Sequence, residues 1–167
     1  MVCIRQATKD DLLDIQECDQ FCFPQCDSFP LKYYLSYNLW WPQLFYVAED
    51  NRGRIVGYIQ GEFHTKNPNS LSGEKEQTTN TECYGRIANL GVICTHRNCG
   101  IATRLMTVVH NVMEHVFAAE FVSLHVHKGN HAAFNLYNET LGYKIYDSIQ
   151  KYYSDGADAF VMKKQLK

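Results

Sequence analysis

A polar knot, H-R-N-C at 96–99, precedes Gly100 and an apolar-faced segment that opens with Ile101. An uncharged run, N-L-G-V-I-C at 89–94, leads into it. If that run is a strand and the following segment a helix, the first helical turn carries backbone N–H groups without internal partners, on the positive end of the helix dipole. Such a turn is suited to phosphate. Gly100 removes a Cβ from the approach, Ala102 is nearly as small, and Arg97 adds a full charge. Two readings stay open on these residues alone: a cradle for a phosphorylated ligand, or a helix entered through glycine for packing. The chain has no G-K-[ST] and no G-x-G-x-x-G, which removes the nucleotide-hydrolase loop and the dinucleotide fingerprint.

Other reactive side chains are less organised. The seven cysteines are odd in number and form no C-x-x-C pair; Cys18, Cys22 and Cys26 share a helical spacing that Pro24 interrupts. Free thiols in a reducing compartment are expected. In F-V-S-L-H-V-H, 121–127, alternation places Ser123, His125 and His127 on one face of a strand. Two histidines so placed could share a metal, but no further ligand pattern supports one, and none is expected. The formal net charge of −2 argues against nucleic-acid binding. The longest uncharged run, 33–48, is shorter than the roughly 20 residues a membrane span needs and contains Pro42. No apolar signal core precedes or follows Arg5, so a cytoplasmic protein is expected.

The elements that must position these residues follow from period and punctuation. A strand is predicted at 2–7 and a helix at 12–21, with Thr8 as N-cap and Asp11 in the capping-box position. Pro24 and Pro30 bracket a break before a short helix at 31–39. Two strands around Asn51-Arg52-Gly53 read as a hairpin. Residues 65–82 are polar with no apolar period and read as a flexible surface insertion. A strand at 84–94 precedes the helix from Ile101, whose apolar positions Leu105, Val108, Val109, Val112, Met113 and Val116 fall in steps of three and four or lie beside such a step. The strand 121–127 leads to a helix capped by Asn130 and stopped by Gly142, then to two last strands joined by a turn at Asp155-Gly156. The order β, α, α, β, β, β, α, β, α, β, β implies a single α/β domain over 1–167, a central mixed twisted sheet flanked by helices.

With those elements in place, the segment Arg97-x-x-Gly100-x-Ala102 between a strand and an amphipathic helix resembles the acetyl-CoA signature of the GNAT acetyltransferases. The segments WPQLFYVAED, RIVGYI, FVSLHVHKGNHAAFNLYNETLGY and KYYSDGADAFVMKK resemble, more narrowly, the catalytic subunits of the NatA-type protein N-terminal acetyltransferases. The resemblance spans nearly the whole chain apart from 65–82. It implies the GNAT fold, acetyl-CoA as cosubstrate, and transfer of the acetyl group to the α-amine of nascent polypeptides. Accepted first residues would be small ones exposed after removal of Met, and acidic ones when the subunit acts alone. Leu90, Gly91 and Val92 would bind the pantetheine arm on a splayed strand. Arg97, Asn98, Cys99, Gly100, Ile101, Ala102 and Thr103 would take the pyrophosphate, and Asn130 and Tyr137 would complete the cofactor site. It further implies a large helical-repeat auxiliary subunit and a ribosome-associated, cytoplasmic enzyme, with no direct contact to nucleic acid or membrane.

The chemistry then needs a neutral amine, a polarised carbonyl and a proton for the leaving thiolate. A peptide α-amine has a pKa of about 7.7–8.0 against about 10.4 for lysine, so modest base help suffices. The resemblance assigns that base to His125, with Tyr137 as general acid and the N–H of Val92 as a candidate oxyanion donor. Tyr152 and Tyr153 would close over the peptide opposite Tyr33, and Phe23-Pro24 would line the first-residue pocket. Two departures stand out. Gln25 occupies the position of a family glutamate, which Asp27 could replace. Arg86 stands where relatives carry His or Tyr, and an always-charged arginine cannot be a base. Two rival functions remain: acetylation of lysine or a small amine on the same fold, and a non-catalytic CoA-binding subunit.

Overall fold

The computed structural model describes residues 1–26, 29–66 and 81–167. Seven strands form one sheet: β1 Cys3–Gln6, β2 Phe45–Glu49, β3 Ile55–Lys66, β4 Glu82–Val92, β5 Phe121–His127, β6 Lys144–Ile149 and β7 Ala159–Gln165. Their spatial order is β1-β2-β3-β4-β5-β7-β6. Only β4 and β5 run parallel, and α3 (Ile101–His115) makes the crossover between them. The helices α1 (Leu12–Cys22) and α2 (Leu31–Trp40) pack on one face, and α3 on the other. Alternation along β3 shows this: the Tyr58 hydroxyl bonds Asp19 of α1, whereas a Cβ built on Gly57 or Gly61 would meet Ile101 or Met113 of α3.

Local sequence accounts for most of these elements. The Thr8 N–H donates to Asp11 Oδ2 at 2.8 Å, and the Arg5 guanidinium grips both Asp11 oxygens, so the expected capping box also ties β1 to the start of α1. The apolar period of α3 is buried as Ile101, Leu105, Val109 and Met113, and Val122, Leu124 and Val126 give β5 its inward face. Asn130 accepts from the Ala133 N–H and caps α4 (His131–Asn135), as expected. A wider turn, Leu136–Thr140, then closes with Leu141 N–H on the Leu136 carbonyl at 3.0 Å.

Some boundaries differ. The strand expected at 84–94 ends at Val92, and Cys94–His96 form a short turn of 3-10 helix. Of the expected insertion at 65–82, Thr65 and Lys66 belong to β3 and Glu82 to β4, with Thr65 opposite Cys83 and Lys66 opposite Glu82. Exposed polar residues lengthen that hairpin, and a search for apolar alternation does not register them. The remainder, 67–80, lies outside the described residues, as does Asp27. Tyr152 and Tyr153 stand in the turn between β6 and β7, not in a strand. All seven cysteines are free. Among the described residues, no group of three or more ligating side chains could hold a metal, and no helix is long and apolar enough to cross a membrane.

Candidate active site

The site begins where the sheet opens. β4 pairs with β5 only from Tyr84 to Ile87, opposite Phe121 to Leu124. Beyond that point β4 stays with β3, and β5 stays with β7. The cause is a bulge: Gln60 of β3 faces Asn89, the next residue Gly61 faces Ile87, and Ala88 is left as the extra residue. A bulge bends its strand and increases the local twist, so β4 turns away from β5 directly after Ile87. Ile93 donates its N–H to the Val56 carbonyl of β3 at 3.0 Å. Strand alternation therefore turns the N–H of Val92 the other way, into the opening. The Val92 carbonyl faces the same way and accepts from Arg97 Nε at 3.0 Å.

At the wide end of the opening lies the loop into α3. Asn98 and Gly100 both adopt left-handed backbone, at φ of 58° and 74°. No side chain caps α3, and its first intrahelical bond runs from Arg104 N–H to the Gly100 carbonyl. The N–H groups of Ile101, Ala102 and Thr103 are thus without helical partners. A Cβ on Gly100 would meet nothing within 4 Å, so the space over this turn is open. A strand edge without partners and an uncapped helix end together fit an elongated ligand bearing phosphates. Three expected members of this site are occupied otherwise. Arg97 reaches back to Val92 and, at 3.5 Å, to the Cys22 carbonyl at the end of α1. Asn130 spends its side-chain oxygen on the α4 cap. Gly91 serves packing, since a Cβ there would stand 2.8 Å from the Tyr58 ring and 3.0 Å from Cys22 Sγ.

At the narrow end is a cleft of roughly 370 Å³. Tyr33 and Tyr37 of α2, Arg86 and Asn89 of β4, His125 of β5, and Tyr152 and Tyr153 line it, with Phe29 stacked on Tyr33 at 4.2 Å. The structure therefore brings together the predicted Tyr33, Arg86, His125, Tyr152 and Tyr153. His125 Nδ1 and the Tyr152 hydroxyl are hydrogen-bonded at 3.0 Å. Burial first, and the Arg86 charge second, hold the His125 imidazole below its ordinary value, which leaves it unprotonated and able to accept a proton at neutral pH. Tyr137 lies in the wide turn after α4, buried, its ring 5.8 Å from that of Tyr143. Burial pushes its phenol well up, with a further push from Tyr153, so it holds its proton until one is demanded. His127 is engaged elsewhere: Nε2 meets Asp155 at 2.8 Å and Nδ1 accepts from the Gly129 N–H at 2.9 Å. Phe23, Pro24 and Gln25 are exposed and do not line the cleft.

Sequence reasoning missed the polar floor. Glu62 is buried; its carboxylate takes the Tyr37 hydroxyl, His64 Nε2 at 2.8 Å and Arg86 Nη1 at 3.4 Å. Burial alone would raise that carboxyl, but the hydrogen bonds from Tyr37 and His64 and the Arg86 charge outweigh it and hold the group below its usual range. Asn89 Nδ2 donates to the Tyr33 hydroxyl at 2.7 Å and to Gln60 Oε1 at 2.8 Å. The signal was present: Gln60, Glu62 and His64 alternate along a strand that begins apolar, on the face that carries Tyr58.

Comparison with known proteins places the chain in one family. The pattern of the acetyltransferase (GNAT) family matches residues 10–143. The N-terminal acetyltransferase A complex catalytic subunit NAA10 of Arabidopsis thaliana is 52% identical over 167 residues, which is 100% of this chain and 79% of that protein. The corresponding ard1 subunit of Schizosaccharomyces pombe is 37% identical over 163 residues, 98% of this chain and 85% of that one. Among solved structures, Chaetomium thermophilum Naa20 in complex with a bisubstrate analogue superposes with a TM-score of 0.82 at 28% identity, covering 98% of this chain and 86% of that one.

Proposed function

The chain belongs to the acetyltransferase (GNAT) family and, within it, to the N-terminal acetyltransferase catalytic subunits, and on that premise we propose how its own residues carry out the transfer. It moves the acetyl group of acetyl-CoA to the α-amine of protein N-termini. The observation that carries the reading is the parting of β4 from β5 after Ile87, with an uncapped α3 at one end of the opening and the tyrosine-lined cleft at the other.

Acetyl-CoA supplies an acyl group activated as a thioester. The residues that would hold it are the free edge of β4 from Ala88 to Val92 and the turn from Asn98 to Thr103. The Val92 N–H, facing the opening, is placed to hydrogen-bond the oxygen on which negative charge develops. The peptide enters the cleft between Tyr33 and the Tyr152–Tyr153 turn. His125 accepts the amine proton, directly or through water. Tyr137 gives its proton to the sulfur that leaves, so the bond made is N–C, the bond broken is C–S, and one proton enters and one leaves the protein. The Tyr33 hydroxyl accepts from Asn89 and stands at the cleft wall where the peptide enters.

We extend the proposal to first residues and partners. Small first residues such as Ser and Ala are accepted, and acidic ones when the subunit acts alone. A helical-repeat auxiliary subunit docks on α1 and α2 and brings the enzyme, in the cytoplasm, to the ribosome. The support is an exposed apolar surface on those helices, including Leu13, Phe21, Leu35, Leu39 and Trp40. Exposed apolar side chains gathered on two helices are suited to covering by a protein partner.

The test is acetyl transfer, followed by thiol release, to Ser-, Asp- and Met-initiated peptides and to a peptide with a blocked N-terminus and an internal lysine. Transfer to the first group and little to the last is expected. Efficient acetylation of the blocked lysine peptide would assign the protein to lysine instead.

A further inference from the structure

We propose that Arg86, pinned from the neighbouring strand by Glu62, is a fixed cation that keeps the amine-receiving end of the cleft proton-poor, selecting substrates that can enter as neutral amines. It is a positioning residue in this sense: it acts on the substrate amine and on His125 through its field and moves no proton itself. The inference rests on the acetyl-transfer reading above.

The argument starts from register. Arg86 of β4 faces Glu62 of β3 on one side and Ser123 of β5 on the other. His125 is two residues beyond Ser123 on the same face, just past the last pair Ile87–Leu124, where the two strands part. Both side chains line the cleft, and among its described lining residues Arg86 alone is charged at every pH of interest. Glu62 holds the guanidinium without cancelling it. Its Oε1 takes the Tyr37 hydroxyl, and its Oε2 takes His64 at 2.8 Å and Arg86 only at 3.4 Å. The carboxylate is thus shared among three donors, with Arg86 the most distant. Arg86 Nε is buried with no partner, and Glu62 at 3.4 Å is the one ion pair that holds the head group among the described residues.

The other charged and titratable groups around His125 are committed elsewhere. On β7, Lys163 lies over the rings of Phe121 and Tyr146. Asp155 in the turn is bound to His127, and His64 to Glu62. Tyr152 and Tyr153 from the turn, and Tyr33 and Tyr37 from α2, complete the surroundings. With Glu62 set back on β3 and shared among three donors, Arg86 is the charge that faces the amine end directly. A positive field opposes an incoming ammonium and a protonated imidazole alike. An α-amine, which loses its proton close to neutral pH, passes this barrier at small cost; a lysine amine, more than about two units more basic, does not.

The experiment uses the full chain and a Ser-initiated peptide. kcat/KM is followed over about pH 6 to 9, where histidines and α-amines titrate, and the His125 imidazole is titrated by NMR without substrate. The variants are Arg86→Met, Arg86→Lys, and Arg86→Met combined with Glu62→Gln, the last guarding against a stranded buried carboxylate. A unit charge at about 8 Å in a half-exposed site is worth roughly half to one pH unit. The acidic limb and the His125 midpoint should both rise by that amount or more in Arg86→Met, where Glu62 is left unopposed, and by less in the double variant, and Arg86→Lys should restore both. The preference for the α-amine over a blocked lysine peptide should fall in the same two variants. Unmoved limbs and midpoints in folded variants, or failure of Lys to restore them, would overturn the proposal. If the wild type transfers no acetyl group to any N-terminal peptide, the acetyl-transfer reading fails instead, and the His125 titration still decides whether Arg86 sets the field.

Discussion

Gly100 allows the phosphate-binding turn to be tested by two readouts of opposite sign. Its φ of 74° and ψ of 5° are left-handed, and any other residue there meets a conformational cost of about 1–2 kcal/mol, least for Asn and Asp. No steric cost is added, because a Cβ at this position meets nothing within 4 Å. Gly100→Asn and Gly100→Asp therefore share the same shape and nearly the same strain, and differ by one negative charge at the uncapped end of a 15-residue helix. In the free protein that charge faces the dipole, and the Asp variant should be more stable than the Asn variant by about 0.3–1 kcal/mol. Toward coenzyme A the sign reverses. A carboxylate about 5 Å from a phosphate oxygen in a largely solvated site costs about 1–2 kcal/mol, or roughly five- to thirtyfold in affinity. Urea denaturation measures the first quantity and titration calorimetry with coenzyme A the second. Equal affinities for the two variants, or an Asp variant less stable than the Asn variant, would refute the assignment of phosphates to this turn.

Three further outcomes are expected. Tyr137→Phe keeps the ring and removes the proton donor, so steady-state kinetics should show kcat falling by about 10²–10⁴ with little change in KM for acetyl-CoA; an unchanged kcat with chemistry rate-limiting would remove Tyr137 as the acid. His125→Ala should lose about 10²–10⁴ in rate near neutral pH, and a pH–rate profile should show the loss shrinking as the α-amine deprotonates unaided; a defect constant with pH would argue against a base role. Gly91→Ala should destabilise the fold by about 1–3 kcal/mol in urea denaturation, because the added Cβ meets Tyr58, which is fully buried and held at its hydroxyl by Asp19.

Helix α3 and strand β5 were legible because one buried face repeats through each of them. At 97–102 the helix start through Gly100 was legible, but these residues alone left two readings of its role open, and the choice of phosphate came from family resemblance. The cleft was only partly so. Its walls come from α2, β4, β5 and the β6–β7 turn, and nothing local says that residues 33, 86, 125 and 152 meet. Family resemblance supplied that gathering. It also drew Phe23, Pro24 and Gln25 toward the first-residue pocket, whereas the structure leaves all three exposed and gives Phe29 to the cleft.

What remained illegible has one physical origin, the bulge at Ala88. A one-residue slip in pairing cannot be read from either strand alone, because register belongs to the pair. Yet the slip decides the site's chemistry. It lets β4 leave β5 directly after Ile87, opening an edge whose N–H groups include that of Val92. It also sets Gln60 against Asn89 on one side of the extra residue and Glu62 against Arg86 on the other. Without it, the alternation that carries Glu62 and Arg86 on the cleft face would set Gln60 opposite Ala88, with no amide there to hold Tyr33. The same extra residue that admits the cofactor therefore also assembles the polar floor, and that is why neither could be read from the spacing of its residues.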